Sequence, residues 1–204
     1  MEINNIGRKW IVKEPGNPAT VRRLAQELGT DPVLANLLVQ RGITTYEEAR
    51  TFFRPDLSML HDPFLMKDMD KAVARVRKAI ENKEKILVYG DYDVDGTSAV
   101  SLVYTFLSTI TDNLEYYIPV RYDEGYGISY KGIDWAHEGG YTLIIALDCG
   151  IKAVEKVQYA KERGIDFIIC DHHLPDETLP DAVAILDPKR EDCHYPFDDL
   201  SGCG

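Results

Sequence analysis

From Lys85 onward the apolar residues arrive in short, unalternating runs at 86–89, 114–120, 142–147, 167–170 and 183–186. Runs of that length without a polar face read as strands covered on both sides. Between them, residues 97–107, 130–137 and 153–163 carry apolar positions at helical spacing. Strands that alternate with helices predict an α/β fold: a mainly parallel sheet with helices on both faces. Before Lys85 the period is helical. Short helices are expected at 19–28, 32–40 and 46–53, parted by Gly29-Thr30 and Arg41-Gly42. A longer amphipathic helix at 70–82 places Ala72, Val73, Val76 and Ile80 on one face. The expected organisation is therefore a helical extension over 1–84 and an α/β domain over 85–204.

Composition changes this picture in two places. The net charge of -11 argues against a nucleic-acid surface, but part of the acidity is compact, and divalent cations within that part would reverse the local field. The four cysteines form no CxxC pair, so they are expected as reduced, buried thiols. No apolar run reaches a membrane span and the first residues lack the apolar core of a secretory signal, so the expected location is cytoplasmic with no membrane partner.

In open parallel sheets ligands bind beyond the carboxyl ends of the strands, and the polar residues of this chain concentrate there. After the first strand run comes Asp91-Tyr92-Asp93-Val94-Asp95-Gly96, after the third Asp148-Cys149-Gly150, and after the fourth Asp171-His172-His173. Three carboxylates in five residues repel one another unless cations sit among them. A lone strand-end Asp is often a helix cap and a lone His is more often structural. Three such features at the ends of strand runs, which the topology would gather on one rim, make a metal site the better reading. Hard oxygen ligands with a little imidazole suit manganese or magnesium. So many ligands allow two ions, the arrangement that hydrolyses phosphoesters by in-line attack.

Two other motifs compete for the first segment. An EF-hand loop would place Leu102 where a bidentate Glu is required. The aspartyl-phosphate motif of haloacid-dehalogenase-type phosphatases, with Asp93 as nucleophile, would need a downstream lysine and acidic pair; the chain offers Asp148 and two histidines instead.

The ordered set GDYDVDG, LDCG and DHH resembles the DHH phosphoesterases, and further stretches resemble their RecJ branch. These are Arg41-Gly42-Ile43, Asp62-Pro63-Phe64, Met69 to Val73, Pro119-Val120-Arg121, Glu124 to Gly127, Tyr195-Pro196-Phe197 and Leu200-Ser201-Gly202. The resemblance implies a 5′ to 3′ exonuclease on single-stranded DNA in repair and recombination, using two manganese or magnesium ions. It leaves open which helicase or single-strand-binding protein is the partner. Carried over by motif, Asp93 and Asp148 hold one ion; Asp95, Asp148 and His172 hold the other. Asp91 is either a further ligand of the first ion or an acceptor behind the ligands, and Tyr89 stands where many relatives have a histidine. His173 is assigned to the scissile phosphate, Asp171 to orienting an imidazole, and Arg121 to a phosphate contact. The resemblance further implies a fourth motif and a second, nucleic-acid-holding domain beyond this stretch, so that the chain is expected to be a fragment with weak activity alone. The rival within the family is a phosphodiesterase of short oligonucleotides or cyclic dinucleotides.

Overall fold

The structure is a computed structural model that describes residues 11–204. It divides into two compact units, with the division after Leu60. In the first, helices α1 (Pro18–Leu28), α2 (Pro32–Val39) and α3 (Tyr46–Phe53) pack Leu24, Ala25, Ala35, Leu38 and Ala49 together. Each helix start carries its own side-chain acceptor. Asn17 caps α1, Asp31 caps α2, and Thr45 with Glu48 forms a reciprocal capping box on α3.

The second unit begins at His61 and contains the sheet together with the helix that precedes it, α4 (Met69–Glu81). Five strands follow: β1 (Lys85–Gly90), β2 (Leu114–Tyr117), β3 (Tyr141–Leu147), β4 (Asp166–Cys170) and β5 (Ala184–Leu186). All neighbouring pairs are parallel, in the order β2-β1-β3-β4-β5. The helices between them are α5 (Val94–Leu107), α6 (Arg121–Glu124), α7 (Tyr130–Glu138) and α8 (Val154–Lys161).

Strand residues alternate between two separate cores. Leu87, Tyr89, Ile144, Ala146, Phe167 and Ile169 face Ile133 and Ala136 of α7 and Val157 and Ala160 of α8. Ile86, Val88, Leu143, Ile145 and Ile168 face Ala72 and Ala79 of α4 and Ala99, Val100 and Leu107 of α5. Both faces are buried, which is why the strands read as continuous apolar runs.

Two of the boundaries that differ from expectation bear on chemistry. Helix α5 starts at Val94, not near Thr97, because Asp93 accepts from the Asp95 and Gly96 amides and nucleates the first turn. Asp95 is thus a helical residue. Strand β2 stops at Tyr117, short of the predicted Val120, because Pro119 has no ladder donor and the short α6 begins at Arg121. No disulfide joins the four cysteines; Cys149 is buried, but Cys203 is exposed, against the expectation of four buried thiols. Among the described residues no helix is long and apolar enough to cross a membrane.

Candidate metal centre

The sheet order reverses direction at β1, whose neighbours are β2 on one side and β3 on the other. The loops leaving β1 and β3 therefore diverge at one point of the carboxyl rim. Asp91 follows β1, Asp148 follows β3, Asp171 follows β4, and Asp187 follows β5. All four are buried.

Asp148 leaves its strand with a left-handed backbone, φ 59°, and its amide still donates to Cys170 O at 2.8 Å. A non-glycine residue held there stores strain of about 1–3 kcal/mol, which is found most often at functional sites. Its Oδ1 is buried and receives no hydrogen bond, yet His172 Nε2 lies 3.1 Å away. The reason lies on the other side of the ring. His172 Nδ1 is 2.9 Å from Leu200 O, and a carbonyl only accepts, so Nδ1 carries the proton. In the neutral imidazole this leaves the Nε2 lone pair aimed at a carboxylate oxygen. In that protonation state two acceptors face each other at a separation that suits a cation bound to both, and that a single shared proton also bridges. The backbone acceptor behind a ligand histidine is the usual device for fixing its tautomer.

His173 joins this pair: one ligand atom each from Asp148, His172 and His173 lie within 4.8 Å of one another. It is held by Asp171, whose Oδ1 accepts from His173 Nδ1 at 2.7 Å and from the His172 and His173 amides at 2.8 and 3.2 Å. Asp171 Oδ2 accepts from the Ile151 amide at 2.9 Å. Four donors on a buried side chain call for a group that only accepts. Asp171→Asn is therefore expected to set an amide NH2 against a donor, costing about 2 kcal/mol and loosening His173. Chemical denaturation and the histidine ring resonances would report it; unchanged stability and unchanged His173 shifts would refute it.

The remaining carboxylates complete the field. The amides of Gly96 and Asp95 hold the Asp93 carboxyl below the usual range, against the opposing effect of burial. Asp148 is pushed the other way, to about 6, first by burial and then by the charge of Asp93, with Asp95 adding to it. Asp91 is fully buried and neither of its oxygens has a well-aligned hydrogen bond; burial, with Asp93 in the same direction, raises its carboxyl against the pull of the nearby Tyr92 and Gly127 amides. Asp95 Oδ2 accepts from the Gly202 amide at 2.9 Å. The segment Leu200–Gly202 thus touches both Asp95 and His172, and a Cβ at Gly202 would overlap the Asp148 carboxylate. Tyr89 contributes no ligand. Its hydroxyl donates to Gly127 O at 3.0 Å and accepts from the Ser129 amide at 3.1 Å, so it fixes the turn before α7. Arg121 stands farther out, with its guanidinium 5.3 Å from the Tyr92 ring. From there an edge contact links Tyr92 to Tyr126, whose hydroxyl lies 3.2 Å from His173 Nε2.

Three participants were given no place in the site from the sequence: the Leu200–Gly202 segment, Tyr126 and Asp187. The first two lay in stretches that carried the family resemblance, and Asp187 was one more strand-end acid. It is wholly buried; Oδ1 accepts from the Lys189 amide at 2.8 Å, and Oδ2 has no partner. Burial, followed in the same direction by Asp171, pushes it up to about 6. A carboxyl raised in the folded state favours folding below its unfolded value near 4, and that contribution is lost as pH rises through 6. Asp187→Asn should therefore leave stability unchanged near pH 4 and add up to about 3 kcal/mol at pH 8. Paired denaturation curves at the two pH values test this; an equal effect at both would refute it.

Residues 85–204 match the model of the DHH family, N-terminal domain. The chain belongs to the DHH family. It is 42% identical, over 96% of its length, to the Bacillus subtilis (strain 168) single-stranded-DNA-specific exonuclease RecJ, and covers 25% of that protein. It is 35% identical over 85% of its length to the RecJ of Escherichia coli, covering 30% of it. The chain therefore spans a quarter to a third of these relatives. A crystal structure of an exonuclease RecJ bound to manganese superposes with a TM-score of 0.64 at 26% identity, over 71% of this chain and 37% of that one. The manganese complex of RecJ from Thermus thermophilus shares the fold, with a TM-score of 0.67 at 23% identity, over 94% of this chain and 26% of that one.

Proposed function

We propose that this chain supplies the metal-binding domain of a 5′ to 3′ exonuclease that hydrolyses single-stranded DNA in repair and recombination. The observation that carries the reading is the opposed pair of acceptors, Asp148 Oδ1 and His172 Nε2, with unpartnered Asp91 oxygens in the same acidic cluster. The identity of the relatives named as single-stranded-DNA-specific exonucleases, and the manganese in a related crystal structure, support it. In this reading 85–204 is the DHH domain and 1–84 a helical extension that lends no ligand. The protein works in the cytoplasm beside a helicase and a single-strand-binding protein.

The donor set fits manganese or magnesium: oxygen ligands with one or two imidazoles. Asp93 and Asp148 would hold one ion, and Asp95, Asp148 and His172 the other, with Asp91 behind or beside the first. Bound there, the ions would supply Lewis-acid polarisation of the phosphodiester and a nucleophile at neutral pH. The chain's own residues do the rest. Asp171 accepts from His173 Nδ1 and so orients the ring with Nε2, now against the Tyr126 hydroxyl, on its outer side; with a second proton on Nε2 the ring would donate to the scissile phosphate. Leu200 O fixes His172 in the same Nδ1-protonated tautomer. Arg121, over Tyr92, offers a cation to a phosphate farther along the strand.

The test is turnover by the full-length protein with manganese, comparing a long 5′-phosphorylated single strand with dinucleotides and cyclic dinucleotides. Stepwise release of mononucleotides from the 5′ end of the long strand is expected. Preference for the short substrates would transfer the assignment to the oligonucleotide phosphodiesterases of the family.

A further inference from the structure

A cavity of about 240 Å³ opens directly beside His173, and Tyr126, Ile128, Ile151, Lys152 and Lys156 contribute to its walls. Its floor is apolar, since Ile128 and Ile151 are buried. The Tyr126 ring at the edge is steadied by its hydroxyl contact with His173. Its cationic side is unusual in an acidic chain. Lys152 is exposed and pairs with Asp176 at 3.0 Å, both side chains more than half exposed, a weak contact that an anion displaces readily. Lys156 is half-buried, its ammonium 6.0 Å from the Tyr130 ring. An apolar floor, an aromatic edge and two ammonium groups together match a nucleotide: a base and sugar that need shelter from water, and a phosphate that needs charge.

We propose that this cavity holds one nucleotide next to the reacting phosphate, with base and sugar against Tyr126, Ile128 and Ile151 and its own phosphate between Lys152 and Lys156. The inference rests on the phosphodiester reading above and adds a specificity site to it. The nucleotide can come from either side of the bond that breaks. As the departing unit it presents its 5′-phosphate to the lysines, and as part of the retained strand its 3′-phosphate.

The test is calorimetric binding to the full-length protein with manganese present, which needs no turnover. The ligands are inorganic phosphate, thymidine 5′-monophosphate, thymidine 3′-monophosphate and thymidine 3′,5′-bisphosphate. One phosphate occupies the metal centre, so a nucleoside attached to it should bind at least about tenfold more tightly than phosphate alone, and the second phosphate of the bisphosphate should add about tenfold more. The better monophosphate identifies which side of the bond the cavity serves. K152A/K156A should abolish the gain from the second phosphate and leave inorganic phosphate unchanged, whereas K152R/K156R should retain it. Manganese-dependent phosphate binding with no gain from the bisphosphate, or an undiminished gain in K152A/K156A, overturns the cavity alone. Absence of any manganese-dependent phosphate binding overturns the phosphodiester reading, and the cavity with it.

Discussion

Asp148→Asn is expected to lower manganese affinity and the turnover of the full-length protein by at least about a hundredfold, while leaving the metal-free chain as stable as before or more so. Asn is the informative replacement. Residue 148 has φ 59°, a conformation that Asn tolerates and that costs Ala about 1–2 kcal/mol, so Asn removes charge without adding backbone strain. In the metal-free chain the carboxyl is pushed up to about 6 by burial and then by Asp93. Removing it therefore relieves repulsion above pH 6 and changes nothing well below pH 4. A residue that only caps a turn would give the opposite pattern, with lost stability and retained affinity. Titration with manganese followed by calorimetry, thermal unfolding without metal, and a turnover assay separate the two. Retained affinity in D148N would remove Asp148 from the proposed ligands.

Arg75→Ala should destabilise the chain by about 3 kcal/mol, within the range for breaking a buried ion pair, and leave manganese affinity unchanged within about twofold. Arg75 is nearly buried on α4, where its Nε donates to Asp166 at 2.6 Å and its NH2 group to Glu84 at 2.7 Å and to Thr142 O at 3.3 Å. The partially exposed Asp166 recovers some hydration, which keeps the expected loss at the low end. Glu84, by contrast, would be left with Thr142 and Asn82 alone. Burial opposes the charge on Glu84, but Thr142 and Arg75 together hold its carboxyl below the usual range. The difference between wild type and variant should accordingly be full at pH 7 and shrink as pH falls through 4. Glu84, Thr142 and Asp166 stand at the starts of β1, β3 and β4, the opposite edge of the sheet from the candidate ligands, and that separation is why affinity should hold. Urea denaturation and manganese calorimetry on the same variant check both halves; a large loss of affinity would mean the two edges are coupled.

The strands were legible because burial on both faces leaves unbroken apolar runs, and the helices because α4 and α7 expose one face and bury the other. Strand-end position was enough to single out Asp91, Asp93, Asp148 and the Asp171-His172-His173 triplet. Where α5 starts was less legible, since Asp93 is both an acid of the cluster and the helix cap, and sequence spacing alone does not reveal the second role. Tyr126 and the Leu200–Gly202 segment stood out only through the resemblance, and their place in the site was not legible for a different reason. Tyr126 meets His173, and Leu200 meets His172, only after long stretches of intervening chain have folded.

Pattern and residue type by themselves determined the α/β class, the two-sided burial and the identity of most candidate ligands, because these depend on local periodicity and on which residues follow each strand. Protonation and orientation were decided only by the tertiary structure. Which nitrogen of His172 bears a proton follows from Leu200 O, and the opposed shifts of Asp93 and Asp148 follow from backbone amides at the start of α5 and from burial after β3. The buried state of Asp187 follows from its place at the end of β5 in the assembled sheet. Those properties are set by hydrogen bonds and desolvation between segments distant in the chain, which have no local imprint on the sequence.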